Sequence, residues 1–204
     1  MPDEPRNKRA VAFFDGQNLF HAAKLAFGYI FPNYDPLRLS IAVCEARGWT
    51  LQQTRFYTGV PSADDSPHWN LFWSRKLLAM SRVGVHVYSR PLRYRNKVSS
   101  DGSPVLVGEE KGIDVRIAID ILSCAIRGDC DVVLVFSQDQ DLSEVADELR
   151  VIAGEQGRWL KIASAFPVSS ASRNRRGINS TDWVKIDRAM YDTCIDSWDY
   201  RKDE

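Results

Sequence analysis

The sequence has no surplus of either charge. Twenty-seven Lys and Arg stand against 27 Asp and Glu, giving formal zero and a pI near 6.8. The chain as a whole is not a polycation, so attraction to a polyanion has to come from uneven placement of the two signs. Cysteine is sparse: Cys44, Cys124, Cys130 and Cys194 contain no C-x-x-C pair. With His21, His68 and His86 they form neither a zinc-site spacing nor a disulfide framework, which points to a reduced, cytoplasmic chain. Long apolar runs are missing too. None approaches the roughly 20 residues needed to cross a bilayer, and the one preceding Asp15 is too short for a signal peptide. Neither secretion nor a membrane is expected. Internal repeats and low-complexity tracts are absent, and 204 residues with 44% hydrophobic and 26% charged side chains make one domain with a sizeable core.

What is present is alternation. Short apolar runs rich in β-branched residues at 10–14, 50–57, 85–90, 131–136, 159–163 and 183–186 are interleaved with amphipathic stretches at 17–27, 36–47, 69–82, 111–126 and 142–153. This pattern predicts an α/β fold with a mainly parallel sheet of five to six strands. Residues 91–108 break the rhythm and read as a hairpin excursion around a polar turn at 99–102. Residues 169–180, polar and basic, read as a mobile loop. The domain is expected over 10–190, with tails at 1–9 and 191–204.

In open α/β sheets the ligand site lies beyond the carboxyl ends of the strands. The first strand runs into Asp15-Gly-Gln-Asn18 and the fourth into Ser137-Gln-Asp139-Gln-Asp141, while Asp114 lies in the first turn of a helix. On a helical wheel Asp114 shares its face with Ala118, Ile121 and Ala125, whereas Asp120 falls on the polar side four residues after Arg116. A lone charge on an apolar face needs a partner, a metal or a proton. Each acid also has an ordinary explanation: Asp15-Gly16 as a turn, Asp141 with Glu144 as a capping box, Asp139 as an Asx turn, and Asp114 as a dipole partner. None of these explains why the acids gather at one sheet edge, where they repel one another unless a cation intervenes. Carboxylates are hard oxygen donors suited to one or two Mg²⁺ or Mn²⁺ ions, and ions so held hydrolyse phosphodiesters.

Asp15-Gly-x-Asn18, Lys111-Gly-x-Asp114 and Ser137-x-Asp139-x-Asp141, in that order, resemble the NYN domain family of PIN-like nucleases. The resemblance extends from about Val11 to Ile186 and includes a closing strand at 182–187. It implies a Rossmann-like, three-layer PIN sheet and a metal-dependent endonuclease, most often acting on RNA. Asp15, Asp114, Asp139 and Asp141 would form the metal cluster, with Asn18 and Ser137 orienting ligands or water. The chain departs from the family at Gln138, where Gly is frequent, and at Leu142, where Phe is frequent. Neither change removes a carboxylate, but both bear on the rim of the pocket.

Positive charge collects in two places. Arg90, Arg93, Arg95 and Lys97, with Tyr94 among them, and the later Arg173, Arg175 and Arg176 could hold phosphates or stack a base. A solvated hairpin explains the first cluster equally well. Lys111, beside Asp114 in its motif, is a further candidate. Trp69, Phe72 and Trp73 sit at helical spacing and are expected in the core. The rival reading is a catalytically inactive PIN-like module binding RNA or a protein in a regulatory role. A phosphatase of the haloacid dehalogenase type is weaker, because Gln17 stands where its second acid belongs. A homodimer is left open. Neutralising the four aspartates with two divalent ions would take the formal charge from zero to about +4.

Overall fold

The computed structural model describes residues 2–99 and 102–202. The first strand, β1 (Lys8–Asp15), passes directly into α1 (Gly16–Phe27), and α2 (Pro36–Arg47) follows. Proline opens α2, the Asp35 carboxylate caps its first amides, and Gly48 closes it at φ +66°. Next come β2 (Trp49–Val60), α3 (Pro67–Arg82) and β3 (His86–Pro91). The expected hairpin is β4 (Arg93–Val98) paired antiparallel with β5 (Pro104–Glu109). Of its turn, Ser100 and Asp101 lie outside the described residues. The chain then forms α4 (Ile113–Ile126), β6 (Val132–Phe136), a single 3₁₀ turn at Gln140–Leu142, α5 (Ser143–Glu155), β7 (Lys161–Pro167), β8 (Asp182–Ile186) and α6 (Arg188–Thr193).

The central sheet has six strands in the order β3-β2-β1-β6-β7-β8, and every neighbouring pair is parallel. Alternation along its two central strands builds two cores. Ala10, Ala12, Phe14, Val132, Leu134 and Phe136 face Leu19, Leu39, Phe72 and Trp73 from α1, α2 and α3. Val11, Phe13, Val133 and Val135 face Ile117, Ile121, Val145 and Leu149 from α4 and α5. These are the three layers of a doubly wound fold. Phe72 and Trp73 are core, as their spacing implied.

The strand order reverses direction between β1 and β6. One half of the chain builds outward from β1 to β3, the other from β6 to β8, leaving a crevice above the carboxyl ends of the two central strands. The site is therefore placed by topology before any side chain is considered.

Two regions differ from the sequence expectation. Segment 169–180 is irregular but tied down: the Ser169 hydroxyl donates to Ala26 O at 2.7 Å, and Ile178 is fully buried. Ser169 thus turns its hydroxyl inward, and the backbone at 176–179 is held by side chains from elsewhere, which composition does not reveal. At the carboxyl end, α6 spans position 190, and Tyr191 and Cys194 pack into the first core. Beyond them Asp196 forms an ion pair with the buried Lys76 at 2.9 Å.

Candidate metal centre

Asp15 is the last residue of β1 and also caps α1, its Oδ1 accepting from the Asn18 N–H at 3.0 Å. The helix begins so abruptly because residue 16 is Gly: a Cβ there would stand 2.6 Å from the Phe56 ring and 2.9 Å from Tyr57 O. The Asp-Gly pair is thus a strand-to-helix joint that fixes a buried carboxylate at the sheet edge. Asp114 enters from the opposite layer, in the first turn of α4, whose N-cap Gly112 has no side-chain capping bond. Asp139 comes from the segment after β6 and accepts from the Asp141 N–H at 3.0 Å, so the expected Asx turn forms. The capping box at Asp141 does not: α5 has no side-chain cap.

One carboxylate oxygen from each of Asp15, Asp114 and Asp139 lies within 4.8 Å of the others. Asp141 is outside this group, exposed on the rim because the 3₁₀ turn directs it away, yet close enough to act on Asp114 electrostatically. Ser137, buried, donates through Oγ to Asp15 Oδ2 at 3.3 Å and accepts from the Asp139 N–H at 3.0 Å, linking two of the acids. Asn18 accepts the Gln138 N–H on Oδ1 at 2.9 Å and so joins the two central strand ends. Both hold the acids in register.

Burial pushes the Asp15 carboxyl up to about 7, with Glu110 and Asp114 raising it further against the Asn18 and Ser137 hydrogen bonds. Asp114 is also raised, first by burial and then by Asp139 and Asp141. Among the described residues no ion pair reaches Asp15, Asp114 or Asp139. Three mutually repelling, hard oxygen donors at a crevice could hold a divalent metal ion, which would remove the repulsion.

Glu110 was not singled out from the sequence. It is half-buried between β5 and α4, accepts the Gly59 N–H, and is pushed up to about 7 by burial with a further contribution from Asp114. Its position at a joint leading into the Asp114 helix is the same kind of signal that exposed Asp15. The pair Glu109-Glu110 reads instead as a solvated charge run.

The basic residues divide. Arg90 bonds Tyr88 Oη at 2.5 Å and lies over Gly112, next to the Asp114 helix start. On the hairpin, Arg93, Arg95 and Lys97 share one exposed face, but Glu109 on the facing strand takes Lys97 at 2.7 Å and Arg95 at 3.8 Å. Tyr94 is on the other face, its hydroxyl accepting the Ser62 N–H at 3.2 Å. Lys111 is exposed and acts electrostatically on Glu109. Arg173, Arg175 and Arg176 are exposed on the loop that abuts the segment after β6: Gln138 Nε2 donates to Arg176 O at 2.7 Å.

Among the described residues no helix is long and apolar enough to cross a membrane. The crystal structure of a protein of unknown function from Vibrio parahaemolyticus RIMD 2210633 is similar at a TM-score of 0.55 and 19% identity, covering 91% of this chain and 97% of that one, which supports the fold. No curated protein sequence matches. The profile of the NYN domain matches residues 9–175, most of the chain. With its acidic cluster at the crevice where this fold places ligands, the chain belongs to the NYN domain family of PIN-like nucleases, which act on nucleic acids.

Proposed function

We propose that the protein is a metal-dependent endoribonuclease, and the observation that carries this is the convergence of Asp15, Asp114 and Asp139 within 4.8 Å without a compensating cation among the described residues. The three carboxylates would hold Mg²⁺ or Mn²⁺, with Asp141 adding negative charge from the rim and, with two ions, a further ligand. The bound ion supplies Lewis acidity toward the phosphodiester and the attacking water. Ser137 keeps Asp15 and Asp139 in fixed relation, and Asn18 keeps the segment after β6 against the start of α1. Arg90, Lys111 and the exposed hairpin and loop cations Arg93, Arg95, Lys97, Arg173, Arg175 and Arg176 would receive the phosphate backbone, with Tyr94 at the hairpin base. RNA is favoured over DNA by the family resemblance. The cytoplasm is the compartment in which four free cysteines persist.

The test is cleavage of labelled single-stranded and structured RNA by the full chain, in chelator and then in Mg²⁺ or Mn²⁺. Turnover should require the divalent ion, and Asp15→Asn or Asp139→Asn should lower it by about 10²- to 10³-fold or more with the circular dichroism spectrum unchanged. Variants that cut as fast as wild type would defeat the assignment. Binding of RNA without turnover, with or without metal, would instead favour the inactive regulatory module.

A further inference from the structure

The segment that carries Ser137 and Asp139 also carries two glutamines that reach away from the carboxylates toward the arginine-bearing loop. Gln138 Nε2 donates to Arg176 O at 2.7 Å. Gln140 uses both ends of its carboxamide: Nε2 donates to Gly177 O at 3.1 Å and to Gln138 O at 3.1 Å, while Oε1 accepts the Asn179 N–H at 3.0 Å. From beneath, the Ser164 hydroxyl accepts the Ile178 N–H at 3.2 Å and donates to Ser137 O at 2.7 Å. Four consecutive loop residues, 176 to 179, are thus joined through backbone groups to the strand end that forms the acidic site, two of them by Gln140 alone. Gly177 lets the backbone come this close, since a Cβ there would stand 2.6 Å from Trp183 and 2.8 Å from both Phe166 and the Ser164 hydroxyl.

A loop attached through its backbone leaves its side chains free for a ligand. Arg173, Arg175 and Arg176 are exposed, and their internal bonds are to neutral oxygens: Arg175 to Ser170 O and Ser172 O, and Arg176 to Asn179 Oδ1. Among the described residues no carboxylate pairs with these guanidinium groups, unlike Arg95 and Lys97 on the hairpin, which face Glu109. We propose that Gln138 and Gln140 are positioning residues that hold Arg173, Arg175 and Arg176 as a preset phosphate-binding wall for the nucleic acid strand, beside the carboxylates. Preset cations lose less conformational freedom on binding than cations on a free loop. The glutamines therefore act on strand affinity through the arginines and not on the chemical step.

This rests on the nuclease reading, and the experiment separates the two. The full chain, Gln138→Ala/Gln140→Ala, Arg173→Ala/Arg175→Ala/Arg176→Ala and the five-fold combination are compared on one labelled single-stranded oligoribonucleotide in Mn²⁺. Losing the staple should raise KM about 10-fold with kcat within about two-fold, since hydrogen bonds of this kind each contribute up to about one such factor. The logarithmic salt dependence of binding should become shallower by about 0.7 for each phosphate that the arginines no longer hold. The glutamine and arginine substitutions should be non-additive, because one acts through the other. Amide exchange at Asn179 should accelerate in the glutamine variant, a readout that needs neither metal nor RNA. A wild-type chain that neither binds nor cleaves RNA defeats the nuclease reading and takes the proposal with it. An active wild type with unchanged KM in the glutamine variant, a fall in kcat alone, or strictly additive effects overturns the positioning role and leaves the nuclease intact.

Discussion

The molecule buries charge in two places and treats it in opposite ways. Under the carboxyl-terminal segment, Lys76 is 1% exposed and fully matched: its Nζ donates to Asp196 at 2.9 Å and to Tyr34 O at 3.0 Å, with the Tyr200 ring 5.1 Å away. Burial lowers the Lys76 pKa, and Asp196 works against that shift. At the crevice Asp15 is 3% exposed, and the charges that act on it, Glu110 and Asp114, are of its own sign. A buried charge that serves the fold acquires its opposite from within the chain. One whose neighbours share its sign is incomplete, and a proton or, on the reading proposed above, a cation from solution completes it.

Removing one charge from each region should therefore give opposite results. Lys76→Ala leaves Asp196 half-buried without its ammonium and opens space in the core, so it should cost about 3–5 kcal/mol in urea unfolding. Asp15→Asn relieves repulsion in the metal-free protein and keeps the shape of the cap, so it should stabilise by about 1–3 kcal/mol. If Asp15→Asn destabilises the metal-free chain as strongly as Lys76→Ala does, the acids belong to the fold and the contrast disappears. Saturating Mn²⁺ should reverse the order at the crevice, stabilising wild type by about 3 kcal/mol at a hundred times Kd and Asp15→Asn far less.

How much of this contrast could be read in the sequence follows the range of the interactions. Asp15 and Asp139 declared themselves because they stand at or just beyond the end of a five-residue apolar run, and a strand's end is a local signal. Asp114 was placed by the helical wheel, which put Ile121 and Ala125 in the core as observed. The boundaries of α2 were legible to the residue, since Pro36 and Gly48 mark both ends chemically. The distinction between Asp139 and Asp141 was not, because a period of two puts them on one face of a strand while the chain makes a 3₁₀ turn there. Glu110 owes its burial to a contact with Gly59, 51 residues away, and Lys76 to Asp196, 120 residues away. No periodicity reports contacts of that span. The pairing of Arg95 and Lys97 with Glu109 was hidden in the same way, in a hairpin register.

The contrast also has a pH signature. Asp15 rises from its ordinary 3.8 to about 7 on folding without metal, and Glu110 from 4.5 to about 7. Between about pH 4 and pH 7 the folded state holds protons that the unfolded chain has released, so stability is greatest below about pH 4 on this account and falls as pH rises through 7. Metal-free protein should therefore lose several degrees of Tm between pH 5 and pH 8, and Glu110→Gln should flatten part of that slope. Because a divalent ion competes with those protons, its apparent affinity should rise over the same interval. A metal-free Tm that climbs from pH 5 to pH 8 would mean the acids are stabilised by something within the chain.

The smallest expected effects lie on the hairpin, and they test whether pairing alone decides a charge's role. Arg95 and Lys97 share Glu109 across a two-stranded ribbon that is exposed along most of its length. Exposed pairs of this kind contribute about 0–1 kcal/mol, so Lys97→Ala should leave the unfolding midpoint nearly unchanged. Its effect on RNA should be smaller than that of the loop arginines, because Glu109 competes with phosphate for the Lys97 ammonium. Glu109→Gln is the sharper probe, since it frees both cations at once. If the ribbon receives phosphates, Glu109→Gln should tighten binding of a single-stranded oligoribonucleotide by a few-fold and steepen its salt dependence, in the opposite sense to alanine at Arg173, Arg175 and Arg176. Unchanged affinity in Glu109→Gln would confine strand binding to the loop and the crevice, and leave the hairpin as a solvated arm.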